Sequence, residues 1–196
     1  LRWTALRPTA TFDAFDVLNT ATGWDDFRRA ASLLAAPSQN MVYADVDGNI
    51  GYQAPGAIPI RQGYDGKWPV PGWTSRYQWQ GTIPFDALPT VLNPPEGWIV
   101  TANQAAIGPE YPYFITDDWA YGSRSQRIVD LVEQATADGS LMDAATMRAI
   151  QMDSRNEFAS FLAPRLAALP TSETTADAVA LQPGELVDRS GHRRLE

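Results

Sequence analysis

The chain of 196 residues has no cysteine and a single histidine, His192. The first absence excludes a disulfide framework, thiolate chemistry and any Cys-based metal site, and it leaves the compartment open. The second excludes a His-dependent triad, or a zinc site built on two or more His, within this chain, because His192 stands in a polar tail beside Arg193 and Arg194. Any chemistry here runs without histidine. Basic charge is also scarce: 15 Lys and Arg face 23 Asp and Glu, for a net charge of −8, with no basic run. No nucleic acid and no anionic membrane surface is expected as a partner. No apolar run is long enough to span a bilayer, Leu1-Arg2-Trp3-Thr4 has no signal-peptide pattern, and there is no internal repeat. Position 1 is Leu and not Met, so a processed product or a piece of a longer chain is expected.

What remains is a globular composition, 44% hydrophobic and 11% aromatic, long enough to bury a core. Residues 1–21 lack a clean period and read as irregular, with Trp3, Phe12, Phe15, Val17 and Leu18 as core contributors. Thr22 and Asp25 resemble a capping box, and Trp24, Phe27, Ala31 and Leu34 share one face of a helix that Pro37 ends. Residues 39–54 hold two β-prone runs around Asp47-Gly48, a hairpin signal because Asp-Gly tolerates positive φ. Residues 56–90 are Gly/Pro-rich and read as an ordered loop pinned by Trp68, Trp73, Tyr77 and Trp79. Residues 111–119 read as another aromatic loop. A helix is expected from Ser123 to about Gln134, with Ile128, Leu131 and Val132 inward. A second is expected after a Ser140/Asp143 capping box, running to about Leu169 with Met147, Ile150, Phe158, Phe161, Leu162 and Leu166 on one face. Residues 170–196 read as a loosely ordered tail.

The chain is organised around residues 93–104. A turn-forming Asn93-Pro94-Pro95-Glu96-Gly97 cluster precedes Trp98-Ile99-Val100, which reads as a buried strand, and Asn103 and Gln104 follow where that strand ends. An Asn there can direct amide N–H donors at a developing negative charge, as acyl transfer requires. Closing a turn accounts for the same residue.

Taken in order, Pro37-Ser38-Gln39-Asn40, the Tyr43 to Tyr52 hairpin, Gly56-Ala57-Ile58-Pro59-Ile60-Arg61, Pro69-Val70-Pro71-Gly72, Gly81-Thr82-Ile83-Pro84-Phe85, Asn93-Pro94 and Thr101-Ala102-Asn103 resemble the penicillin acylase family of N-terminal nucleophile hydrolases. Tyr111-Pro112-Tyr113, Trp119, Arg124, Arg127-Ile128, Gln151 and Asp153 continue the series, so that the resemblance covers residues 1–169. It implies an α+β fold, part of an αββα architecture, from a precursor that cleaves itself into α and β chains. It also implies a periplasmic or secreted location. In that family an N-terminal Ser is the nucleophile and its own α-amine the base, which suits a chain with so little histidine. Asn103 takes the place of the oxyanion-hole Asn and Arg124 that of the active-site Arg, for which pairing with Asp117 or Asp118 at a helix start is the structural alternative.

The resemblance places the nucleophile and most of the acyl pocket upstream of this chain. The chain is therefore expected to be an internal β-chain segment that is inactive alone. Its implied partners are the α chain and the upstream β segment, and its substrate a linear acyl amide such as a β-lactam side chain, an acyl-homoserine lactone or an acyl peptide. An exposed apolar surface would make the segment self-associate. No cofactor is required for the chemistry, and no residue here is assigned to a metal. A structural calcium is compatible with the full-length parent, but Asp65-Gly66 and Asp117 or Asp118 read as turn residues, as do Asp45, Asp47 and Asn49. The reading from another class is a non-catalytic module whose Trp68, Trp73, Tyr77, Trp79 and Trp98 present a platform for a carbohydrate or a partner chain.

Overall fold

The structure is a computed structural model that describes residues 1–170. Residues 171–196, nearly all of the expected tail, lie outside the described residues. The chain divides into two compact units, Leu1–Trp119 and one that begins at Ala120. Helices and small antiparallel sheets make it α+β.

In the first unit, helices α1 (Asp13–Asn19) and α2 (Trp24–Leu33) pack on each other. Helix α2 buries Phe27 and Ala31, as its apolar spacing predicts, and Ala30 besides. Its cap is shifted by one residue from the expected box. The Asp26 carboxylate, not Asp25, accepts from the Thr22 amide (3.0 Å) and hydroxyl (2.8 Å), which holds the Asp26 carboxyl below the usual range. The helix stops at Leu33, ahead of the cis Ala36–Pro37 bond.

Strands β1 (Met41–Ala44) and β2 (Ile50–Gln53) form the expected hairpin, and β5 (Thr90–Leu92) pairs antiparallel with β2 on its other side. The turn closes on one carboxylate. Asp45 accepts from the amides of Asp47 (3.0 Å) and Asn49 (2.8 Å), from Asn49 Nδ2 (2.8 Å) and from the Tyr43 hydroxyl (2.7 Å). Gly48 supplies the φ of +86°. That carboxylate pushes the Tyr43 hydroxyl up to about 12. Asn93, itself at φ +50°, ties β5 into the turn by accepting from the Ile50 amide at 2.9 Å. Helix α2 reaches the hairpin at Gly51, where Trp24 fills the space a side chain would occupy and its ring meets Phe27 and Tyr43, each 5.4 Å away.

Further expectations fail in this unit. Residues 11–20 are not irregular but contain α1. Of the proposed core contributors there, Trp3, Phe12 and Phe15 are exposed, while Ala14 is buried. The 56–90 stretch is not only loop, because β3 (Pro59–Arg61) and β4 (Trp79–Thr82) pair across it. Three- and four-residue strands leave no period to read, and Pro59 is the first residue of β3, where the ladder tolerates it, while Pro69, Pro71 and Pro84 lie outside both strands. Trp98–Val100 is half-buried, but no described strand pairs with it, so hydrophobic content alone did not make a ladder.

The second unit contains α3 (Ser123–Thr136), α4 (Ala144–Gln151) and α5 (Glu157–Ala167), with α3 touching both of the others. Ile128, Leu131 and Val132 are half-buried on α3. The single helix expected after residue 140 is two. Asp143, not Ser140, caps α4 by accepting from the Thr146 amide (2.7 Å), and Asn156 starts α5 afresh by accepting from the amides of Phe158 and Ala159. Between the two helices Arg127 grips Asp153 through two N–H donors, at 3.0 and 2.7 Å. Met147, Phe158, Phe161 and Leu166 are about half exposed, so their expected inward face is only partly covered.

Candidate active site

The segment after β5 sets the site. Pro94 to Gly97 form a turn, with the Gly97 amide on the Pro94 carbonyl (3.0 Å) and Gly97 at φ +76°. Past Val100 the chain bends around the side chain of Gln104. Its Oε1 accepts from the Ala102 amide (2.6 Å) and its Nε2 donates to the Val100 carbonyl (2.7 Å). This clasp fixes the backbone with Ala102 buried and Asn103 exposed at φ +66°. Asn is one of the few side chains that accept a left-handed backbone. The two polar residues that the sequence presents together thus separate in role: Gln104 shapes the bend, and Asn103 stands on the wall of a cleft.

That cleft, about 720 Å³, lies wholly within the first unit. Its floor is the segment 35–40, laid against residues 54–59. The Ala57 amide donates to the Ala35 carbonyl (2.8 Å), and the Ser38 hydroxyl to the Pro55 carbonyl (2.7 Å). Gly56, at φ +146°, permits this approach, because a Cβ there would lie 2.9 Å from Ser38 Oγ. Beneath runs a buried polar strut: Gln53, fully enclosed, accepts from Arg28 Nε at 3.2 Å, and Arg28 continues to Asp86 at 2.9 Å. Tyr52, whose hydroxyl burial pushes up, donates to Asn40 Oδ1 at the cleft edge. A smaller pocket of about 200 Å³ shares Asn40, Tyr52 and Thr101 with the cleft and runs on between Val91, Trp98 and Ile99. Arg61, Asp118 and Trp119 also line the cleft. Of these lining groups, the sequence reading gave Asn40 and Arg61 no role, although both fall in stretches it singled out.

Arg124 is the second residue of α3, exposed, and belongs to the unit that begins at Ala120. Of its suggested acidic partners, Asp117 is engaged by Lys67, which holds the Asp117 carboxyl below its usual range. The first turn of α3 carries no acid.

Asp45 is consumed by the hairpin turn, Asp65 accepts from the Lys67 amide (2.9 Å), and no three acidic or histidine side chains converge among the described residues. The aromatic residues do not form one platform either. Trp68 and Trp73 are 77% and 88% exposed, while Trp79 lies under Arg2 at 4.4 Å, Tyr77 packs edge-on against Tyr64 at 5.9 Å, and Trp98 is half-buried.

The chain is similar to known proteins. The family model described as penicillin amidase matches residues 1–188. The acyl-homoserine lactone acylase QuiP of Pseudomonas fluorescens is 34% identical over 157 residues, 80% of this chain and 19% of that protein. The penicillin acylase 2 proenzyme of Pseudomonas sp. is 36% identical over 130 residues, 66% of this chain and 16% of its own length. The solved thermostable penicillin G acylase of Alcaligenes faecalis superimposes with a TM-score of 0.65 at 28% identity, covering 89% of this chain and 32% of that one. The chain therefore spans less than a fifth of the length of these curated relatives.

Proposed function

The chain belongs to the penicillin amidase family, and from that premise we propose that it supplies half of the active site of an acylase that hydrolyses a linear acyl amide. The observation that carries this reading is Asn103: an exposed amide on a cleft wall, on a left-handed backbone held by the Gln104 clasp. In the proposed reaction an N-terminal Ser from an upstream segment attacks the amide carbonyl while its α-amine takes the hydroxyl proton. The Asn103 side-chain N–H stabilises the oxyanion, and the returning proton leaves with the amine. Water then attacks the acyl ester, the α-amine again removing a proton, and the acid is released. The role that the resemblance implies for Arg124 is that of a fixed positive charge. The acyl group occupies apolar space such as the pocket beside Trp98 and Ile99.

On this reading the partners are the remaining segments of the parent acylase, and the chain alone is inert. The location is periplasmic or secreted, as for the family, and no helix among the described residues is long and apolar enough to cross a membrane. The test begins with the intact mass and N-terminal sequence of every polypeptide that copurifies with this chain, followed by release of aniline from phenylacetyl anilide. Activity is expected only with a second polypeptide that begins with Ser. Amide cleavage by this chain alone, shown homogeneous by mass, refutes the half-site.

A further inference from the structure

The chain carries three Asp-Gly pairs, at 47–48, 65–66 and 138–139, each exposed and each with its glycine at positive φ, +86°, +91° and +80°. In an Asp-Gly pair no side chain shields the glycine nitrogen from the Asp carboxyl carbon, so ring closure between the two is least hindered. Closure asks two things of the fold: a carboxyl folded over the peptide that follows it, and a glycine N–H that no acceptor holds in place. Asp138 meets the first, since its Oδ1 accepts from the Ser140 amide at 2.9 Å, but the Gly139 amide is held by the Thr136 carbonyl at 2.9 Å. Asp47 meets neither. Among the described residues nothing donates to its carboxylate, and the Gly48 amide donates to the Asp45 carbonyl at 3.3 Å inside the closed hairpin turn. Asp65 meets both: its Oδ1 accepts from the Lys67 amide at 2.9 Å, and among the described residues the Gly66 amide has no acceptor. Packing also restricts the next position to glycine, because a Cβ at Gly66 would stand 2.6 Å from Arg61 Nε.

We propose that Asp65 is a modification site, the one Asp-Gly pair of this chain whose folded geometry favours conversion to isoaspartate. The Gly66 nitrogen attacks Asp65 Cγ. The N–Cγ bond forms, a Cγ–O bond breaks, and that oxygen leaves as water with the amide and carboxyl protons, giving a succinimide. Water then adds to the ring. Opening at Cγ restores Asp65, whereas opening at the main-chain carbonyl leaves an isoaspartate, an isomer whose chain runs through Cβ and Cγ. The bond from the Lys67 amide to the Asp65 carboxylate is lost, and with it the turn that sets Lys67 against Asp117. Ile115, Thr116, Asp118 and Trp119, on either side of Asp117, line the cleft, so conversion releases one tie on its wall. The proposal is independent of the acylase reading.

The purified protein, with whatever copurifies, is incubated warm at mildly acidic pH and digested. Its three Asp-Gly peptides are then followed by mass spectrometry for loss of one water and, after treatment with an isoaspartyl methyltransferase, for an added methyl group. The 65–66 peptide is expected to convert about fivefold or more faster than either of the others, the factor that one net hydrogen bond on the competing glycine amides supplies. In urea, where the fold is gone, that advantage should vanish. Equal or slower conversion at 65–66 in the folded protein overturns the proposal. An advantage that persists in urea overturns it too, because it assigns the reactivity to neighbouring residues and not to the fold. Asp65→Glu, whose longer side chain does not close the same ring, should abolish the signal in that peptide, and a signal that survives the substitution refutes Asp65 as the site.

Discussion

Replacing Asn103 probes both its backbone and its amide, and the two separate cleanly. At φ +66° an alanine pays the steric cost of a left-handed backbone, about 1–2 kcal/mol, whereas glycine does not. Neither residue has an amide to offer an oxyanion. If the amide acts in the transition state, both variants lose about 100- to 1000-fold in kcat with KM little changed, since one oxyanion donor supplies roughly 2.7–4 kcal/mol. Stability divides the pair differently: Asn103→Ala unfolds at lower urea than Asn103→Gly, by the backbone term alone. The assay is steady-state hydrolysis of phenylacetyl anilide by the assembled acylase, with urea midpoints measured on the same preparations. A folded Asn103→Gly enzyme within tenfold of wild-type kcat refutes the donor role. Loss of activity in Asn103→Ala with retention in Asn103→Gly assigns the effect to the backbone.

Gln104→Ala removes both arms of the clasp across residues 100–104, and kcat is expected to fall about tenfold or more as Asn103 loses its fixed position. Gln104→Glu, which keeps the acceptor and loses the donor, should recover part of that loss in the same hydrolysis assay. Gly51→Ala places a Cβ 2.4 Å from the Trp24 ring, and chemical denaturation should show a loss of about 1–3 kcal/mol from overpacking. Asp153 is held below its ordinary carboxyl range by Arg127 first of all. A depressed carboxyl contributes stability above its unfolded value and loses it as pH falls through the folded one, so this contribution disappears below about pH 4. Asp153→Asn should flatten that acid limb of the unfolding curve by an amount on the order of 1 kcal/mol or less, and an unchanged limb refutes the assignment.

Local chemistry decided which elements were legible. The β1–β2 hairpin was readable because Asp47-Gly48 specifies its own turn, and α2 because Trp24, Phe27 and Ala31 recur at helical spacing. Helix α1 was not, because Ala14 is its single buried residue and its phenylalanines point away from the packed side. The break between α4 and α5 was carried by Asn156, a capping residue inside a run read only for its apolar positions. The apolar positions that turned out exposed, among them Phe12, Phe15 and Phe158, were misread for a different reason. Apolar content reports that a surface is to be covered and not what covers it.

The site was legible at one residue and opaque around it, and Asn103 shows why. The sequence left two readings of it as rivals, a turn residue and an oxyanion donor. In the fold the first is established and does not displace the second. The bend requires a left-handed backbone, which restricts the position largely to Gly or Asn. Of the two, only Asn carries an amide, and the bend leaves that residue exposed on the cleft wall while its neighbour Ala102 is buried. Turn geometry therefore explains why the choice is narrow but not why Asn occupies it over Gly, the better turn former.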